Sequence, residues 1–144
     1  MSAKSKQSNV KKTTLKTAKP KRTKIICVSH QEDADGISSA ALIKQAFGGD
    51  TILVDYPGMM DVLESLRNDE KLKKLFICDL GLNTQTNDNF IALLTELRKK
   101  RISVIYVDHH EIDSKVVTKL KKIKVKLIHD TSECPSVLVY DAFK

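Results

Sequence analysis

Short apolar runs alternate along the chain with segments whose apolar residues recur at helical spacing. Lys24-Ile25-Ile26-Cys27-Val28-Ser29-His30 is a near-continuous, β-rich run and predicts a buried strand. From Gly36 to Phe47, Ile37, Ala40, Ala41, Ile43 and Ala46 share one helical face, and Gly48-Gly49 stops that helix. Thr51 to Tyr56 predicts a second strand. Pro57-Gly58 then turns the chain into a helix reaching about Asn68, with Met59, Val62, Leu63 and Leu66 on one side. Leu75 to Asp79 predicts a third strand, and a helix follows from about Gln85 to Lys100 with Ile91, Leu94 and Leu97 in phase. Ile102 to Val107 is the fourth strand. Val125 to His129 is a fifth, interrupted by Lys126, and Val137 to Phe143 closes with a helix. Strands alternating with such helices predict the α/β class: a five-stranded, mainly parallel sheet with helices on both faces.

The chain has 144 residues, which suits one domain. Its longest apolar runs, such as Val104 to Val107, are far below the roughly 20 residues of a membrane span. No apolar stretch follows the basic N-terminus, as a secretory signal would require. The net charge of +7 is uneven. Residues 1 to 24 carry nine basic residues and no acid, whereas the remaining 120 carry 16 basic and 18 acidic residues and sum to −2. The division is therefore a basic tail over 1–23 and one domain over 24–144. Rich in Lys, Ser and Thr, the tail buries too little to offset its ordering entropy, so the expectation is disorder. It reads equally as a counterion-releasing arm for nucleic acid and as a solubilising leader. A mitochondrial presequence fits less well, because the tail has one arginine and no amphipathic face. Cys27, Cys78 and Cys134 are odd in number and lack C-x-x-C spacing, which argues against a disulfide framework or zinc knuckle. A reducing cytoplasm is the expected compartment.

In a parallel sheet, right-handed crossovers bring every strand's carboxyl end to one edge, and ligands bind there where the strand order reverses. Four of the five predicted strands deliver His or Asp to that edge: His30, Asp33 and Asp35; then Asp79; then Asp108, His109 and His110; then His129 and Asp130. All four histidines of the chain are among them. Mixed Asp and His ligands suit Mn2+, Fe2+ or Zn2+, and all-oxygen sites suit Mg2+ or Ca2+. Two ions about 3.5–4 Å apart, sharing a carboxylate, would activate water and neutralise a phosphoryl group. Taken singly, each residue has a plainer reading. Asp35-Gly36 could be a helix cap, Asp79 a turn acid and His109-His110 a surface pair. His129 reads best as the end of a strand, Asp55 as structural, and Glu32 and Glu111 as solvated.

Ser29 to Ala40, with His30-Gln31-Glu32-Asp33-Ala34-Asp35-Gly36 at its centre, resembles the first motif of the DHH phosphoesterase superfamily. Cys78-Asp79-Leu80-Gly81 resembles the second and Val107-Asp108-His109-His110 the third. Asp130, ahead of Ser136 to Tyr140, is similar to the fourth. The resemblance covers about residues 24 to 143 and implies a Rossmann-like DHH domain. It implies that His30, Asp33 and Asp79 bind one metal ion and that Asp35, Asp79, His109 and Asp130 bind another, with Asp79 bridging. Asp108 would be a further catalytic acid, either a ligand or a partner fixing a histidine tautomer. His110 would be catalytic and contact the substrate phosphate. Two divalent cations are implied, with Mn2+ preferred and Mg2+ the alternative. DHH enzymes normally continue into a second, substrate-binding domain. Nothing up to Lys144 corresponds to it, so the expectation is a site that is open, shallowly specific or completed by another chain, or else a truncated form of a longer protein.

The resemblance favours a metal-dependent phosphodiesterase acting on single-stranded DNA or RNA or on short oligonucleotides, like RecJ-type exonucleases and nanoRNases. Inorganic pyrophosphate and cyclic dinucleotides are the family's other substrates. A second reading is a non-catalytic module of a replication or repair assembly, which the intact motifs argue against. A third is a response-regulator-type phosphoacceptor. It would want a lysine where this chain has His129-Asp130-Thr131, and it gives His109-His110 no role.

Overall fold

The computed structural model describes residues 23–144 and contains five strands alternating with five helices. The readings of the basic tail lie outside the described residues. In chain order the elements are β1 (Lys24–His30), α1 (Ala34–Phe47), β2 (Asp50–Val54), α2 (Tyr56–Ser65) and β3 (Leu72–Cys78). They continue as α3 (Asn87–Lys99), β4 (Ser103–Asp108), α4 (Ser114–Lys122), β5 (Lys126–His129) and α5 (Pro135–Phe143). All four strand pairings are parallel, in the order β2-β1-β3-β4-β5. The chain therefore reverses its direction of travel between β1 and β3, which pair directly, with Ser29 opposite Cys78.

The strands read as near-continuous apolar runs because both sheet faces are covered. On one face Ile26, Val28, Leu75, Ile77, Val104 and Tyr106 pack with residues of α2, α3 and α4. On the other Cys27, Phe76, Cys78, Ile105 and Val107 meet Ala40 and Ile43 of α1 and Val139 of α5. Tyr106 is fully buried because its hydroxyl has a partner, the Leu80 carbonyl at 2.6 Å.

Three features depart from the sequence expectation, the simplest being that β3 begins at Leu72, three residues before Leu75. Helix α4 was not expected. Only Val116 and Leu120, one turn apart, are buried in a stretch otherwise dominated by lysine and hydroxyl side chains. Asp113 starts it by accepting from the Lys115 N–H at 2.8 Å. The second strand ends two residues early: Asp55 caps α2 by accepting from the Gly58 N–H at 2.7 Å, and Tyr56 becomes helical. No helix among the described residues is long and apolar enough to cross a membrane.

Candidate metal centre

The reversal point lies between the carboxyl ends of β1 and β3, and the acids and histidines gather there. His30, the last residue of β1, is 7% exposed. Asp33 caps α1 by accepting from the Gly36 N–H at 3.0 Å, and its other oxygen lies 3.3 Å from His30 Nδ1. Helix α1 can start this close to β1 only because residue 36 is glycine: a Cβ there would meet the His30 carbonyl oxygen at 2.1 Å. Ser29 Oγ secures the junction, 2.7 Å from the Gly36 carbonyl oxygen and 3.1 Å from that of Cys78.

Asp79 follows β3 with φ 55, a left-handed conformation that Asp and Asn tolerate better than most residues. The turn buries its carboxylate completely. His109 Nε2 lies 3.3 Å from Oδ1 and His30 Nδ1 lies 4.0 Å from Oδ2. Neither contact is a hydrogen bond. Both Asp79 oxygens and His30 Nε2 are buried without a hydrogen-bonding partner among the described residues. Burial is the main cause that pushes the Asp79 carboxyl up to about 7, with the neighbouring Asp33 carboxylate adding to it and His110 opposing. Asp33 shows the opposite balance. Its partial burial acts upward, but the Gly36 N–H, Asp79 and His30 together hold it below its usual range.

Two sets of potential ligand atoms meet at Asp79, with their atoms within 4.8 Å of one another: His30, Asp33 and Asp79, and Asp79, His109 and His110. Unpaired carboxylate oxygens facing imidazole nitrogens, with no cation beside them, are costly alone and suit a divalent ion. His110 is held by Asp108, a fully buried acid whose Oδ1 lies 2.8 Å from His110 Nδ1 and whose Oδ2 lies 3.3 Å from the Tyr106 hydroxyl. Gly81 leaves room for the His110 ring, because a Cβ there would sit 3.0 Å from His110 Cγ.

Not every expected residue joins these sets. Asp35 lies in the first turn of α1, half-buried and outside both. Asp130 is exposed, and its Oδ1 accepts from Ser132 N and Oγ at 2.8 and 2.6 Å, bonds that hold its carboxyl below the usual range. Conversely, two residues do more than the sequence suggested. His129 does end β5, but its Nε2 lies 2.5 Å from the His110 carbonyl oxygen, so that nitrogen must carry the proton and donate. Tyr56 packs its ring 4.8 Å from that of His30, and its hydroxyl accepts from the Gly81 N–H at 3.2 Å. It thereby braces both sides of Asp79. Burial, followed by the nearby acids Asp108, Asp79 and Asp33, raises its hydroxyl above the usual range, against the Gly81 bond. Only the alternation of aliphatic and polar residues around Val54-Asp55-Tyr56 pointed toward this edge.

The pattern that defines the DHH family, N-terminal domain, matches residues 24–144. The chain belongs to the DHH family. Its domain is thus of the phosphoesterase type, a class that typically uses divalent metals, in keeping with the two ligand sets. Among solved structures, an uncharacterised protein from Helicobacter pylori superposes with a TM-score of 0.59 at 18% identity, over 83% of this chain and 36% of its own. A putative pilus assembly-related protein from Burkholderia pseudomallei gives 0.50 at 16% identity, over 85% of this chain and 87% of its own. At such identities the likeness shows the fold alone. The DHH chain spans about a third of the length of the Helicobacter pylori protein. No curated protein gives a significant match.

Proposed function

We propose that this DHH domain is a two-metal phosphodiesterase acting on single-stranded nucleic acid or short oligonucleotides, with Mn2+ as its preferred ion. The observation that carries the reading is Asp79: a fully buried carboxylate at the point of strand reversal, unpaired at both oxygens, and common to two ligand sets. His30 and Asp33 would hold an ion on one side of it and His109 on the other. Asp35 and Asp130, which the family resemblance adds to the second set, would have to swing inward. Bound cations would supply an activated water and neutralise charge on the phosphoryl group. The protein's own groups do the rest. Asp108 orients the His110 ring through Nδ1, which would leave Nε2 to face a phosphate oxygen. His129 holds the backbone of this turn in place. The Tyr56 ring, 45% exposed beside the centre, offers a stacking surface for a nucleobase, which favours a nucleic acid over pyrophosphate. The free, buried Cys27 and Cys78 suit a reducing compartment such as the cytoplasm.

The test is a panel of single-stranded DNA, RNA dinucleotides, pyrophosphate and a cyclic dinucleotide, with Mn2+ and with EDTA. Oligonucleotide hydrolysis is expected with Mn2+ only, and it should fall at least about 100-fold in Asp79→Asn. Turnover of pyrophosphate alone would overturn the nucleic-acid assignment. Undiminished, metal-independent turnover in the variant would overturn the two-metal assignment. Stacking makes a separate prediction. Tyr56→Ala should raise KM for oligonucleotides about 10-fold while Tyr56→Phe leaves it near the wild-type value, because a stacked base contributes about 1–3 kcal/mol.

A further inference from the structure

The sheet that gathers acids at one edge gathers bases at the other. All five strands begin at that opposite edge, β2 with an acid, Asp50, and α1, α2, α3 and α4 end there. The segments 71–74, 98–101 and 119–126 all lie along it. They contain twelve of the 17 Lys and Arg residues in 23–144 and no acid. The small negative charge of the domain therefore conceals a strongly divided surface, and the basic character does not reside in the tail alone.

The three segments form one continuous face. The Arg98 guanidinium donates to the Ile102 carbonyl at 2.8 Å and to the Ile123 carbonyl at 3.2 Å, joining the end of α3 to the end of α4. Lys100 Nζ donates to the Arg67 carbonyl, joining α3 to the turn after α2. Some of the charge is compensated: Lys24 pairs with Asp69, Arg67 with Glu64 and Lys99 with Glu96. The side chains of Lys71, Lys73, Arg101, Lys121, Lys122 and Lys124 are exposed and have no ion-pair or hydrogen-bond partner among the described residues. Complementing helix dipoles accounts for the lysines in the last turn of α4. It does not account for Lys71, Lys73 or Lys124, which lie outside helices.

We infer that this edge binds the phosphate backbone of nucleic acid, without sequence preference and without metal. A row of unpaired cations releases counterions when it meets closely spaced phosphates. None of the exposed large apolar side chains, Ile37, Leu53, Tyr56, Val137 and Tyr140, falls in these segments. The face therefore has nothing to stack on bases, and it lacks the apolar anchors that a membrane-surface site would carry. Strands of four to seven residues hold it roughly 15–20 Å from the metal centre. The two edges can then engage different stretches of one polymer. Lys24, the first residue of β1, lies at this same edge.

The inference goes beyond the hydrolytic reading, since it requires no turnover. The test is fluorescence anisotropy of a labelled 20-nucleotide single strand and the corresponding duplex, with the full chain in EDTA. Two variants would be compared with wild type: Lys119→Gln/Lys121→Gln/Lys122→Gln, on the exposed side of α4, and Lys71→Gln/Lys73→Gln. Thermal unfolding would establish that both remain folded. Wild type should bind both probes. The triple variant should bind the single strand at least about 10-fold more weakly at 0.1 M salt, with its log–log salt slope reduced by about 2, while the double variant shows a smaller loss of the same kind. Unchanged affinity in both folded variants would overturn the inference and leave nucleic-acid binding to the tail. Tighter binding to phosphatidylserine vesicles or to polyglutamate at the same ionic strength would overturn it as well. Loss of turnover with this binding intact would count against the hydrolytic proposal alone.

Discussion

Asp79→Asn should stabilise the metal-free protein at pH 8, by about 2–4 kcal/mol, even as it removes the proposed activity. The carboxyl of Asp79 titrates near 7 in the folded chain against 3.8 when solvated. Below pH 4 it is protonated in both states and contributes no difference. Between about 4 and 7 the unfolded chain loses this proton first, so rising pH progressively favours unfolding. Above about 7 the full cost of a buried, unpaired carboxylate is present. Asparagine removes that cost, fits the same left-handed backbone at φ 55, and brings an amide that can donate to the Asp33 carboxylate. Urea unfolding in EDTA at pH 5, 6, 7 and 8 should show the wild type losing stability across this range and the variant much less affected. Parallel pH profiles would refute the assignment. Excess Mn2+ should reverse the order of stability, because an ion held only by the folded state stabilises it by mass action.

The second large effect is expected at Gly36. An alanine methyl there would overlap the His30 carbonyl oxygen at 2.1 Å and its carbon at 2.8 Å, and both atoms belong to the end of a central strand. Neither can yield without moving β1 from its pairing with β3, so Gly36→Ala should cost about 3 kcal/mol. Gly48 provides the control. It lies at the other end of α1 and faces open space, but φ 71 with ψ −150 is a backbone region that essentially only glycine adopts, so Gly48→Ala should cost about 1–3 kcal/mol through backbone strain and not through a clash. A Gly36→Ala urea midpoint close to that of the wild type would show that the contact at Gly36 is not tight. Because the clash falls on His30, any folded Gly36→Ala protein should also bind Mn2+ more weakly.

Much of this architecture is legible in the sequence because a strand covered on both faces leaves an uninterrupted apolar run, as in Val104 to Val107. Helix α4 leaves no such run: Ile112, Val116, Leu120 and Ile123 recur at helical spacing, but they are set singly among lysines and hydroxyl residues. The boundary at Asp55 was misplaced for a related reason. Val54-Asp55-Tyr56 alternates like a strand, and only the Gly58 N–H reveals Asp55 as a cap. At the metal centre, strand ends announce His30, Asp33, Asp79, His109 and His110, because topology alone carries them to one edge. The contributions of Tyr56 and His129 depend on contacts with Gly81 and with the His110 carbonyl, which no local pattern encodes. Asp130 shows the converse: a motif position places an acid near the edge, while turn bonds from Ser132 determine where its carboxylate rests, and Asp35 stays in the first turn of α1 outside both sets. The basic edge was hidden by summation, since opposite charges on opposite edges cancel in a net value.

The sharing of one carboxylate between two ligand sets has a consequence for how the centre fills. Two ions held by these sets could not load independently. Near neutral pH the first cation must displace whatever proton Asp79 still holds, so its uptake is proton-coupled. The second cation meets a carboxylate already ionised but faces the positive charge of the first. Stepwise occupancy should therefore release protons chiefly with the first equivalent of metal, and the separation between the two affinities should widen as the pH is raised.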